Sequence, residues 1–268
     1  KKTGILEITS FAENTANEFE TELKKLEDDG MEGLVIDVRG NPGGLLTAVE
    51  EILMLFVPKD TPYLQIEDPD GNKEPFYSNL DEKKDYPISV LIDEGSASAS
   101  EILAVALKEI GYDTVGEKSF GKGTVQNAIE IDDEGDTIKL TYYKWLSPNG
   151  EWIHDKGVEP TIEQKQPAYY YTNPVEIDEE LTVDNASDEI ENIQIMLKGL
   201  GFDPGRTDGY FNEDTEKAVK AFQEEQEELE ATGVIDKKTS AAIEAKIVDH
   251  IRDGNDDKQL EKALETLY

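Results

Sequence analysis

Apolar and polar residues alternate from Gly4 to Phe11 (GILEITSF), which is the period of a half-buried strand. From Asn14 to Asp29 the period lengthens, and Ala16, Phe19, Leu23 and Leu26 fall on one face of a helix. Gly33 to Val38 (GLVIDV) is a continuous apolar run, as in a strand covered on both faces, and it ends in the glycine turn Arg39 to Gly44 (RGNPGG). Leu45 to Phe56 reads as a second helix. Tyr86 to Ile92 (YPISVLI) reads as a second buried strand that runs into Gly95 to Glu101 (GSASASE). Ser100 to Ile110 then carries Ile102, Leu103, Val105 and Ala106 as a helical face, and strands follow at Asp113 to Gly116, Val125 to Ile131 and Thr137 to Trp145. This order predicts an α/β fold whose core is a mainly parallel sheet flanked by helices.

From Gln166 the periodicity stops. Pro167, Tyr169 to Tyr171, Pro174 and an acidic stretch to Asp188 read as a linker over 167–187. Beyond it, Ile190, Ile193, Met196, Leu197 and Leu200 form a helical stripe ended by Gly201, and Ala218, Val219 and Phe222 form another. Thr239 to Ile251 and Lys258 to Leu267 supply two further helices. The expected division is therefore an α/β core at 1–166, a linker at 167–187 and a small all-α domain at 188–268 that includes the last helix.

Composition narrows the chemistry. The chain has no cysteine, so disulfides and thiolate chemistry are excluded, and its two histidines, His154 and His250, are too few for a His-rich metal cage. A net charge of −35 makes duplex nucleic acid and anionic membranes poor partners and reads as a solvated surface. No calcium-loop spacing is present, and neither a metal nor a cofactor is expected. No apolar run reaches 18 residues, and the start Lys1-Lys2-Thr3 has no signal-peptide pattern, which predicts a fragment or a processed form lacking its targeting segment.

Two segments could carry catalysis without imidazole. Ser98 lies where a buried strand turns into a helix, flanked by alanines small enough to admit a substrate backbone. The helix N-terminus, including the Ala99 amide, would face a developing oxyanion, and the Gly43-Gly44 turn could give a second donor. Ser and Ala at a helix start equally fit ordinary capping. Lys122 in Phe120 to Gln126 (FGKGTVQ) is the candidate base, since a lysine can act so where burial favours its neutral form. Gln126 would share a face with Lys122 and could orient its amine. A glycine turn with an exposed lysine is the alternative reading of that segment.

Taken together and in order, VRGNPGG at 38–44, GSASASEI at 95–102 and FGKGTVQ at 120–126 closely resemble the C-terminal processing (tail-specific) peptidases, over roughly residues 3–165. KWLSPNG at 144–150 and IHDKGVEP at 153–160 are similar to that family's closing strands. The resemblance implies a serine endopeptidase with Ser98 as nucleophile, Lys122 as base, Gln126 positioning the lysine, and Ala99 with Gly44 as oxyanion donors. It also implies protein or peptide substrates, an extracytoplasmic location and a PDZ domain ahead of Gly4, so cleavage by this chain alone is expected to be weak or unregulated.

The helical region has its own pattern in LGFDPG at 200–205, DGYF at 208–211, TEKAVKAFQ at 215–223 and Thr232-Gly233. It resembles the peptidoglycan-binding three-helix domain over about residues 188–246, which implies wall contacts through Asp208 and Tyr210. Glu227-Glu228-Leu229 departs from that pattern, and a structural or homodimer-forming role is the alternative for this domain. The competing reading of the whole chain is a wall-binding scaffold with a truncated, poorly active peptidase core.

Overall fold

The computed structural model describes residues 1–130, 137–254 and 256–268, with the side chains of those outside 127–140. The last residue of the expected strand at 125–131 lies outside the described residues. The chain divides into two compact units, Lys1–Lys165 with Gln259–Tyr268, and Gln166–Lys258.

The first unit is mixed α/β. Strands β1 (Thr3–Glu7), β2 (Gly33–Asp37), β5 (Ile88–Ile92), β6 (Asp113–Gly116) and β9 (Ile162–Glu163) form a parallel sheet in the order β1-β2-β5-β6-β9. Helices α1 (Thr15–Asp28), α2 (Leu46–Leu53) and α3 (Ala99–Glu109) provide the crossovers that parallel strands need. A second, antiparallel sheet joins β4 (Lys73–Phe76), β3 (Leu64–Glu67), β8 (Thr137–Leu146) and β7 (Thr124–Glu130) in that order.

Alternate residues of a strand face opposite sides of a sheet, and here both sides are covered. Leu34, Ile36, Val90 and Ile92 join Phe19, Ile52 and Leu103 of α1 to α3 in the main core. Val35, Leu91 and Val115 point the other way, where Ala263 and Leu267 of α7 (Lys258–Thr266 and the residues just after it) pack on them. This differs from the sequence expectation, which places the last helix with the all-α domain. The helix carries its apolar stripe to the sheet because the three strand residues would otherwise be left uncovered.

The second unit is helical, with α4 (Asp188–Gly199), α5 (Glu213–Glu224) and α6 (Lys237–Arg252) around Ile190, Ile193, Leu197, Val219, Phe222 and Ile243. Ser187, Asn212 and Asp236 cap the three helices by accepting the amides of Ile190, Thr215 and Thr239. The stretch expected as a linker is folded into this unit. Tyr169, in a 3₁₀ turn over Ala168–Tyr171, is buried with Val175 and Ile177, and Leu181 and Ala186 form single bridges to Ile235 and Tyr210.

Candidate active site

Ser98 is the N-cap of α3 and adopts φ 54°, ψ −113°, a conformation that side-chain-bearing residues rarely take and that costs roughly 1–3 kcal/mol. The surroundings hold it there. Asp93 Oδ1, just past β5, accepts the amides of Gly40 at 2.8 Å and Gly95 at 2.9 Å. The Ser96 hydroxyl donates to the Val38 carbonyl at 2.8 Å, and the Asn41 carbonyl accepts both the Ala97 amide at 3.0 Å and the Ser100 hydroxyl at 2.9 Å. Two strand ends of the parallel sheet are thus laced together where the glycine turn meets the serine run.

That turn is set by Asn41, which is fully buried and donates from Nδ2 to the Ile8 carbonyl while its Oδ1 accepts the Gly43 amide at 2.9 Å. A methyl group on Gly43 would lie 2.8 Å from the Ala97 carbonyl oxygen and 2.9 Å from Ser98 Cβ, so the turn can approach the serine only as glycine. Gly43 spends its amide on Asn41. Gly44 and Ala99 line the cleft beside Ser98.

A cleft of about 690 Å³ opens at this point, and Gly44, Ser98, Ala99, Lys122 and Gln126 all line it, over a floor that includes Trp145. The structure therefore gathers every residue expected for the peptidase site into one cavity. Lys122 is half-buried and Gln126 exposed. Lys122 precedes β7, and a register shift between Val125 and Gln126 breaks the strict alternation, so Thr124, Val125 and Gln126 all reach the cleft. Among the described residues no hydrogen bond joins the Ser98 hydroxyl to the Lys122 amine, a contact that in such sites often tightens only with substrate.

One residue central to this geometry escaped the sequence reading. Glu101 is fully buried. Its Oε2 accepts the amides of Ser98 at 2.8 Å and Lys122 at 2.8 Å, and its Oε1 accepts the Gly121 amide at 2.6 Å and the Ser119 hydroxyl at 2.5 Å. A single carboxylate thus holds the lysine loop against the start of α3. The available signal was the Ser-x-x-Glu spacing of a capping box at Ser98 to Glu101. On the far side of Lys122, Trp145 Nε1 donates to the Lys122 carbonyl at 2.9 Å and Trp152 Nε1 to the Gly123 carbonyl at 2.8 Å. The segment 153–160, expected as strand, instead turns at Ile153–Gly157 and packs along this loop, with Asp155 donating its amide to the Gly121 carbonyl at 2.9 Å.

In the second unit Asp208 and Tyr210 share an exposed patch. Arg206 donates Nε to Asp208 at 2.6 Å and lies 4.8 Å over the Tyr210 ring, and the Tyr210 hydroxyl donates to Asp184 at 2.6 Å. The Arg206 hydrogen bond brings the Asp208 carboxyl down to about 2, so it stays ionised in all but strong acid.

Residues 2–164 match peptidase family S41, and residues 186–243 match the family described as "Putative peptidoglycan binding domain". The carboxy-terminal processing protease CtpB of Bacillus subtilis (strain 168) is 54% identical over 266 residues, covering 99% of this chain and 55% of that protein. CtpA of the same organism is 38% identical over 265 residues, covering 98% of this chain and 56% of that protein. Among solved structures, the photosystem II D1 C-terminal processing protease aligns with a TM-score of 0.55 at 30% identity, over 59% of this chain and 41% of that one. The chain thus spans little more than half the length of the curated relatives it matches.

Proposed function

The chain belongs to peptidase family S41, and from that membership we propose that it is a serine endopeptidase of the C-terminal processing type. The observation that carries the proposal is the single cleft lined by Ser98, Lys122, Gln126, Ala99 and Gly44, which come from three separate segments. Lys122, as a neutral amine, removes the Ser98 proton, and Oγ attacks the scissile carbonyl carbon. The oxyanion that forms takes hydrogen bonds from the Ala99 and Gly44 amides. Collapse of the tetrahedral adduct breaks the C–N bond, and Lys122 returns the proton to the leaving amine. Water, deprotonated by the same lysine, then releases the acyl group from Ser98. Gln126 orients the lysine within the cleft.

Protein or peptide chains are the substrates in this reading, and residues 1–165 with 259–268 form the peptidase unit. The helical unit binds peptidoglycan through the Asp208 and Tyr210 patch, which places the protein outside the cytoplasm. The likeness to the carboxy-terminal processing proteases of Bacillus subtilis supports the peptidase reading, and the match over residues 186–243 supports the peptidoglycan reading.

Cleavage of an unstructured reporter peptide tests the first part. Ser98→Ala and Lys122→Ala are each expected to lose at least about 1000-fold in kcat/KM with an unchanged melting temperature. A wild-type protein that never cleaves such a peptide, and yet sediments with insoluble peptidoglycan, would favour the scaffold reading instead. Sedimentation that survives in Tyr210→Ala would remove the patch from the binding proposal.

A further inference from the structure

We propose that His154 is a positioning residue for Lys122 and holds it in place only as a neutral imidazole, an inference that rests on the reading of Lys122 as the base. The Gly123 amide donates to His154 Nδ1 at 3.2 Å. Gly123 follows the lysine directly, and its carbonyl is held by the Trp152 indole and by the Trp145 amide at 3.1 Å. There is no slack at this contact. A methyl group on Gly123 would lie 2.8 Å from the His154 backbone nitrogen, 3.0 Å from its Cβ and 2.8 Å from Trp152 Nε1. The His154 ring stacks on the Trp152 ring at 5.0 Å and 22°, which fixes the direction of its nitrogens. The backbone through Lys122 and Gly123 is therefore gripped by Glu101 at the Lys122 amide, by Trp145 at the Lys122 carbonyl, by His154 at the Gly123 amide and by Trp152 at the Gly123 carbonyl.

The proton inventory decides what this grip requires. A backbone N–H can only donate, so Nδ1 must offer a lone pair and the single ring proton sits on Nε2. Nε2 faces Asp155, whose Oδ1 lies 3.9 Å away. A second proton would put an N–H on Nδ1 directly opposite the Gly123 N–H. The hydrogen bond then becomes a contact between two donors, and the loop loses its pin next to the base. Charged groups beside the ring and its Trp152 neighbour are the Asp155 carboxylate, the Lys144 ammonium of β8 over the Trp152 ring, and the Glu67 carboxylate of β3 that binds Lys144 at 2.8 Å. A doubly protonated ring therefore releases Gly123, and the neutral ring retains it.

The ring and its partner can be read directly, without reference to activity. In nitrogen-15 spectra of the full chain, neutral His154 is expected as the Nε2–H tautomer. The Gly123 amide is expected to shift and to lose exchange protection in step with the imidazole titration. Activity gives a second readout. If one proton on Lys122 and one on His154 both suppress cleavage, log kcat/KM falls with a limiting slope of about two on the acid side. His154→Asn, which offers an amide oxygen near the Nδ1 position and does not titrate, is expected to fall with a slope of about one and to keep most neutral-pH activity. His154→Ala is expected to lose about tenfold or more in kcat with little change in KM. A proton on Nδ1 at neutral pH, or a Gly123 amide indifferent to the imidazole titration, would overturn the proposal. So would a His154→Asn profile that superimposes on the wild type. If the wild type cleaves nothing, the peptidase reading fails, while the tautomer and the Gly123 amide still test the pin.

Discussion

At the scale of single residues, the site depends on one carboxylate as much as on the serine and lysine. Glu101 answers four donors, from Ser98, Ser119, Gly121 and Lys122, and it is fully buried. Glutamine at 101 has the same shape but replaces one oxygen with an NH₂ group, which would face N–H or O–H donors. Leaving such buried donors unanswered costs about 1–3 kcal/mol each. Glu101→Gln is therefore expected to lower stability by about 2–4 kcal/mol. Its kcat is expected to fall far more than that loss explains, because the Lys122 loop is no longer fixed relative to Ser98. Urea unfolding alongside cleavage of the reporter peptide separates the two effects. A variant that is destabilised yet keeps its kcat would show that Glu101 only supports the fold.

The elements around the cleft show what the sequence could and could not convey. The strand after α1 and the buried strand leading into the serine run lie where the apolar pattern puts them, because burial on both faces leaves a nearly continuous apolar run. The hairpin of β3 and β4 has no such signature: Lys73, Glu74 and Pro75 are exposed, and the hairpin is joined to the sheet by the pairing of β3 with β8, distant in sequence. The stretch at 167–187 lacks a period because it is held by single bridges and scattered apolar anchors. For the site, the residue types were legible from three short motifs, whereas Glu101, His154 and Trp152 were not, since their roles depend on how a loop folds back on α3. The glycine turn makes the same distinction measurable. Gly40 and Gly43 both have positive φ, but a methyl group on Gly40 meets nothing within 4 Å, whereas one on Gly43 meets Ser98. Gly40→Ala is expected to cost about 1–2 kcal/mol and to leave activity largely intact. Gly43→Ala adds overpacking of about 1–3 kcal/mol and displaces Ser98, so its kcat should fall by more than tenfold. Equal activity in the two variants would contradict the close approach of the turn to the serine.

At the scale of the molecule, the path of the chain decides which piece can stand alone. The first unit is left at Lys165 and re-entered at Gln259. The two ends of this excursion are neighbours: buried Gln259 donates from Nε2 to the Gln164 carbonyl at 2.9 Å and takes a hydrogen bond from Arg39 at 3.2 Å. Arg39 in turn opens the glycine turn of the active-site cleft and is paired with Asp37 at 2.6 Å. The last helix also buries Ala263 and Leu267 against Val35, Leu91 and Val115, with Leu260 and Leu264 packed alongside. Exposing that surface costs on the order of 4–8 kcal/mol, against a total stability of about 5–15 kcal/mol for an ordinary domain. A chain ending at Lys258 is thus expected to unfold or aggregate, although the whole span matched to the peptidase family is still present. A chain in which 166–258 is replaced by a short glycine linker should fold cooperatively and keep its cleavage rate, because Gln164 and Gln259 are already in contact. Circular dichroism and reporter cleavage on the two forms give opposite results if the terminal helix belongs to the catalytic unit. If instead the shorter chain folds and cleaves while the linker form does not, the helix is dispensable and the helical unit supports the site.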